Sequence, residues 1–323
     1  MRRVSGRPIG RIVGGMQLIR LLQIAAILIS LVFLIQRADV VRSAGAAAVA
    51  HTVSSDSSKS MSADASQKFA EMSDQFLKGA LALTPVSASQ AGYHQHFDPK
   101  SGKTIELDSE YDDVSLEGYA RLRAYYADWR ERFRKETPQS SLDPEDAADW
   151  QLIDDQIGFN LLELDRIQNY RHHPTVVVEM IGNGIFLPLS QTYAPKDVRL
   201  GHVLSRIGQI PRVLDQAKQY LSDADPVFVT TAIQENDGNI DLIQNTVASE
   251  IDAGSPLRAR YDKVAPPAIA ALKDFSRWLR DDLGKRPSRL TWRLGKDLYG
   301  EKFKLVMETP IAPGRFSPPL RRN

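Results

Sequence analysis

Apolar residues recur at spacings of three and four through most of the chain, and each recurrence predicts one buried face of an amphipathic helix. Leu116, Tyr119, Leu122, Tyr126, Trp129 and Phe133 form one stripe. Trp150, Ile153, Ile157, Leu161, Leu164 and Ile167 form a second, and Val203, Ile207, Ile210, Leu214, Ala217 and Leu221 a third. Ile240, Ile243, Val247 and Ile251 give a fourth, and Ile269, Leu272, Phe275, Leu279 and Leu283 a fifth. Ser115 ahead of Gly118, and Asp143 ahead of Pro144 and Glu145, are the expected N-terminal caps. Pro211 lies inside the third stripe and predicts a kink there. The β-branched run "TVVVEMIG" (175–182) has no partner strand in view and is read as helix or irregular structure. The fold class these patterns predict is all-α, an array of long amphipathic helices.

The ends of the chain follow other patterns. Five arginines precede the apolar run "LLQIAAILISLVFLI" (21–35), so residues 1–50 read as a signal peptide or membrane anchor. The protein is then expected to be exported, periplasmic or extracellular, or held at the inner membrane by that segment. Ser, Asp and Ala dominate residues 51–68, which predicts a disordered linker, and the helical region is expected over 69–308. Four prolines without periodicity mark 309–323 as a loose tail.

Composition narrows the chemistry. The formal charge of +1 and pI near 7.9 leave no basic footprint for nucleic acid. Cysteine is absent, which excludes disulfides, thiol nucleophiles and thiolate metal ligands. A metal would need histidine and carboxylate ligands, and there are six histidines.

"GYHQHFD" (92–98) places His94 and His96 one residue apart with Asp98 just beyond. An i, i+2 pair shares a face in a strand and could grip one ion there. The turn-rich "DPKSGK" that follows favours a polar turn between helices instead. His172 and His173 close a helical stretch before Pro174, where basic side chains face the negative end of the dipole, and His202 borders its apolar stripe. The chain has no G-x-S-x-G, no phosphate-binding loop and no H-E-x-x-H. The G-x-G of "IGNGIFLP" lacks the strand–turn–helix context of a nucleotide site. Carboxylates in "EYDDVS" (110–115) and "DDQ" (154–156) read as solvated helix faces.

Several of these stretches recur together. "LTPVSASQAGYHQHFD" (83–98), "YDDVSLEGYARL" (111–122), "ALKDFSRWLRDDL" (271–283) and the Gly-x-x-x-Tyr-x-x-x-Phe of "RLGKDLYGEKF" (293–303) stand in an order that resembles the N-terminal half of the DUF885 family. The resemblance spans Phe69 to Met307. It implies a bacterial, exported, helical protein similar in architecture to zinc metallopeptidases, with His94 and Asp98 at a cleft edge. The family's metal motif, of the His-Glu…Gly-His-His type in its C-terminal half, has no counterpart in this chain. The resemblance therefore implies a truncated N-terminal part with no catalytic, cofactor-binding or metal residues of its own. Zinc is expected only in a complete family member, and a peptide or the missing C-terminal half is the partner. The alternative is an envelope-anchored helical binding or interaction module.

Overall fold

The computed structural model describes residues 56–307, so the N-terminal segment (1–50) and the Pro-rich tail (309–323) lie outside the described residues. By its internal contacts the chain divides into two units, residues 1–77 and 78–323.

Helix α1 spans Asp56–Leu83, and its residues up to Leu77 are the described part of the first unit. They carry buried Phe69, Met72 and Phe76 along one face. Helix replaces the disordered linker expected over 51–68 from Asp56 onward. That stretch contains neither glycine nor proline, so a helix nucleated at the Phe69 stripe extends backward at low cost.

Among its described residues the second unit is all-α apart from one hairpin. Its helices are α2 (Pro85–Gln90), α3 (Leu116–Glu136), α4 (Pro144–Leu162), α5 (Thr175–Ser190), α6 (Lys196–Tyr220), α7 (Pro226–Asp241), α8 (Pro256–Asp281) and α9 (Gly295–Met307). Helix α6 lies against α5 and α8, and α7 packs on the same two helices. The third stripe supplies the centre of this core: Val203, Ile207, Ile210, Leu214, Ala217 and Leu221 are all buried. Helix α6 continues past Pro211. The run at 175–182 is helix, and Val177, Val178, Ile181 and Ile185 are its buried face. A second layer joins α3, α4 and α9.

The expected caps are present. Ser115 Oγ accepts from Gly118 N at 3.0 Å, and Asp143 Oδ1 accepts from Glu145 N and Asp146 N, both at 3.0 Å. Helix α7 runs into a π-helical turn over Leu242–Val247. Ile243, Val247 and Ile251, four apart, stay buried through it, as the wider turn requires.

Strand β1 (Gln95–Asp98) pairs antiparallel with β2 (Lys103–Glu106), in register Gln95↔Glu106. This hairpin stands where a polar turn is expected. Asp98 Oδ1 accepts from Lys100 N at 3.0 Å, and Gly102, at φ +66°, closes the turn by donating to Asp98 O at 2.9 Å.

Neither carboxylate cluster is simply solvated. Asp154 is paired bidentately with Arg130, both contacts at 2.8 Å, and its side chain is only 13% exposed. Two helices facing each other supply the opposite charge that a single-helix reading cannot see. Asp112 caps α2 from outside, its Oδ1 accepting from Val86 N at 2.9 Å.

Candidate functional site

The heptapeptide at 92–98 becomes intelligible from its first residue. Helix α2 ends at Gln90, and Gly92 follows with φ +75°. Gly92 N donates to Ser89 O at 3.2 Å and Tyr93 N to Ala88 O at 2.9 Å. This is the paired bonding of a Schellman turn, which needs a left-handed residue where Gly92 stands. The turn sends the chain into the hairpin, which returns so that Leu107 N donates to His94 O at 2.9 Å. Asp108, fourteen residues after His94, thereby arrives beside it.

Asp108 is fully buried and both its oxygens are engaged. His94 Nδ1 lies 2.8 Å from Oδ2, and Ser89 Oγ donates to Oδ1 at 2.6 Å. The carboxylate requires the proton of His94 on Nδ1, which leaves the lone pair of the neutral ring on Nε2. The His94 side chain is 26% exposed. A carboxylate behind an imidazole fixes its tautomer and the orientation of its ring.

Two further rings complete the cluster. Tyr193 stacks on His94 with centroids 4.0 Å apart, and its hydroxyl lies 2.9 Å from His202 Nδ1. Burial lowers the His202 pKa, with Asp108 opposing the shift. A neutral His202 then accepts the phenolic proton at Nδ1. Burial, followed by the Asp108 charge, pushes the Tyr193 phenol well above its ordinary range.

Behind Asp108 lies Arg206, with no solvent exposure. Its Nε donates to Glu110 O at 2.9 Å and its Nη1 to Gly184 O at 2.8 Å. Its Nη2 reaches Ser89 Oγ at 2.7 Å, Leu107 O at 3.1 Å and Pro85 O at 3.3 Å. A guanidinium can do this because its five donors lie in one rigid plane. Burial lowers its pKa, opposed by Tyr111 and then Asp108 among its neighbours. Arg206, Ser89, Asp108 and His94 thus form one continuous line from core to surface.

Of the residues singled out in the sequence, His94 is the surface end of this line. Asp98 is not brought to it and instead secures the hairpin turn. His96, in β1, turns its Nδ1 to Tyr93 OH at 3.0 Å, so it does not converge with His94. His172 Nδ1 lies 3.1 Å from Ser222 O, and His173 stacks on Phe228. The G-x-G of α5 is a packing device: a Cβ at Gly184 would lie 2.3 Å from Tyr111 Cε1. Ser89, Asp108, Tyr193 and Arg206 carry no motif that marks them in the sequence. Only Arg206 gives a signal there, as a charge among the buried positions of the third stripe.

Among the described residues no three His, Asp or Glu side chains are grouped to hold a metal.

The profile for "Bacterial protein of unknown function (DUF885)" matches residues 85–315. The chain belongs to the DUF885 family. The match begins at the first residue of α2 and takes in every residue of the His94–Arg206 line. Among solved structures, this DUF885 chain is similar to a candidate lipoprotein of unknown function from Shewanella oneidensis, at 20% identity and a TM-score of 0.65. The similarity covers 76% of this chain and 44% of that one, so the chain spans less than half the length of that relative. It shows a shared fold. No curated protein matches the chain.

Proposed function

We propose that the chain is the N-terminal helical part of an exported hydrolase of the zinc-peptidase type, inactive alone, with His94 at the edge of the substrate cleft. The observation that carries this reading is the state of the Asp108 site. Ser89 is held between Arg206 and Asp108, so its hydroxyl is no nucleophile, while His94 keeps a lone pair at the surface. Such a site can orient a substrate or take a proton, but it supplies no attacking group.

Two further observations support the reading. The solved relative is more than twice the matched length and is described as a candidate lipoprotein, which agrees with export. The basic, then apolar, N-terminal segment agrees as well. No helix among the described residues is long and apolar enough to cross a membrane.

The test is a peptide-hydrolysis assay on the purified full chain, with and without added zinc. The expected result is no turnover alone, and turnover when the C-terminal region of a longer DUF885 protein is supplied in trans. Zinc-dependent hydrolysis by the chain alone overturns the proposal. The alternative, a helical binding module at the envelope, predicts no turnover in either condition.

A further inference from the structure

A cavity of about 190 Å³ opens beside the first turn of α2. Leu83, Tyr119, Leu122, Val177 and Met180 give it largely apolar walls, and Asp112 is set among them. Asp112 is held in no direct ion pair, although the charge of Arg206 favours its ionised form. Arg121, at the rim, is paired with Asp113. Arg206 directs its donors to the carbonyls of Pro85, Leu107, Glu110 and Gly184 and to Ser89. Among the described residues, no lysine or arginine forms an ion pair with Asp112. The Val86 N–H donates to Oδ1, which leaves Oδ2 with acceptor capacity.

A carboxylate in an apolar enclosure is costly unless a cation or donor meets it. The enclosure also selects for shape. At roughly 30 Å³ per small group, the share of one water in the liquid, it holds about six groups. We propose that this cavity binds a small organic ammonium ion: a protonated primary amine on a short apolar stem, with the ammonium on the Asp112 carboxylate and the stem against Tyr119, Leu122 and Met180. A neutral ligand would bring no charge to the carboxylate, and an anion would meet repulsion from Asp112. Burial raises the Asp112 pKa to about 6, with the Val86 N–H and then Arg206 opposing the rise, so the carboxylate is ionised at about pH 7.5. The inference does not depend on the hydrolase reading, because its readout is binding and not turnover.

The experiment titrates the full chain at about pH 7.5 with n-butylammonium, 1-butanol and butyrate, following the Val86 amide by ¹H–¹⁵N NMR. Saturable movement of that resonance by the amine, at an affinity about tenfold or more above that of butanol, is expected, with none from butyrate. Asp112→Asn should abolish the preference for amine over alcohol. Met180→Trp fills the cavity but keeps the carboxylate, and should abolish amine binding outright, which decides the matter even if the Asn variant folds poorly. Equal binding of amine and alcohol, no saturable amine binding, or amine binding retained in Met180→Trp each overturns the proposal.

Discussion

Arg206 Nη2 and Ser89 Oγ meet at 2.7 Å although 117 positions of sequence separate them. That contact joins α6 to α2, and the other donors of the same guanidinium fix the chain at Leu107 and Glu110 and the middle of α5 at Gly184. One side chain therefore sets the position of the segment that carries His94.

Replacing Arg206 strands that whole set of acceptors and leaves Asp108 without its nearest buried cation. Arg206→Met is expected to cost about 3–5 kcal/mol, the usual penalty for removing one partner from a buried charged network. Arg206→Lys should recover little, because three protons on a point charge cannot reproduce a planar fork. Urea unfolding of the three proteins checks both statements.

His94→Phe leaves Asp108 Oδ2 short of a donor, and a loss of about 1–3 kcal/mol is expected. His94→Asn places an N–H near the position of Nδ1 and should lose markedly less. If the two variants unfold at the same urea concentration, the His94–Asp108 bond contributes nothing to the fold.

Asp112 links stability to pH. Its folded pKa, about 6, lies above the ordinary 3.8, so the folded state holds the proton more tightly than the unfolded state. Its contribution is therefore most favourable below about pH 4 and is lost as pH rises through about 6. Asp112→Asn keeps an acceptor for Val86 N and removes this dependence. The variant should gain about 1–2 kcal/mol over the parent at about pH 7.5, with the gain shrinking toward about pH 4. Paired denaturation curves across that range measure it.

Two glycines in helices should respond in opposite directions. Gly184→Ala pushes a methyl into the Tyr111 ring, whose hydroxyl is tethered to Ile181 O at 2.9 Å, and should cost about 1–3 kcal/mol. A methyl added at Gly238 in α7 would meet nothing within 4 Å, so Gly238→Ala should gain about 0.5–1 kcal/mol. Thermal melts of the two variants give the comparison.

The helices were legible because burial on a helix repeats locally. The six positions of the α6 stripe are buried as their spacing predicts, and Ile243, Val247 and Ile251 remain so even through a π turn. The site was less legible because its partners are chosen by tertiary return. Proximity in sequence suggests Asp98 as the carboxylate for His94, yet the hairpin register delivers Asp108. Nothing local distinguishes those two aspartates. Arg206 was readable in principle, since a charge at that place in an apolar stripe must find partners. Its partners between Pro85 and Glu110, however, lie 96 to 121 residues away.

Those separations impose an order on synthesis. The stretch from Pro85 to Glu110 emerges from the ribosome long before the arginine that fastens it. At roughly 5–20 residues per second, the 117 residues between Ser89 and Arg206 take on the order of 5–25 s to make. During that interval the stretch has its Schellman turn, its two-strand hairpin and the local bonds of Asp108 to Ser89 and His94, but none of the bonds from Arg206. A nascent chain stalled before residue 206 should therefore be cut by protease near His94, and one stalled well beyond it should resist.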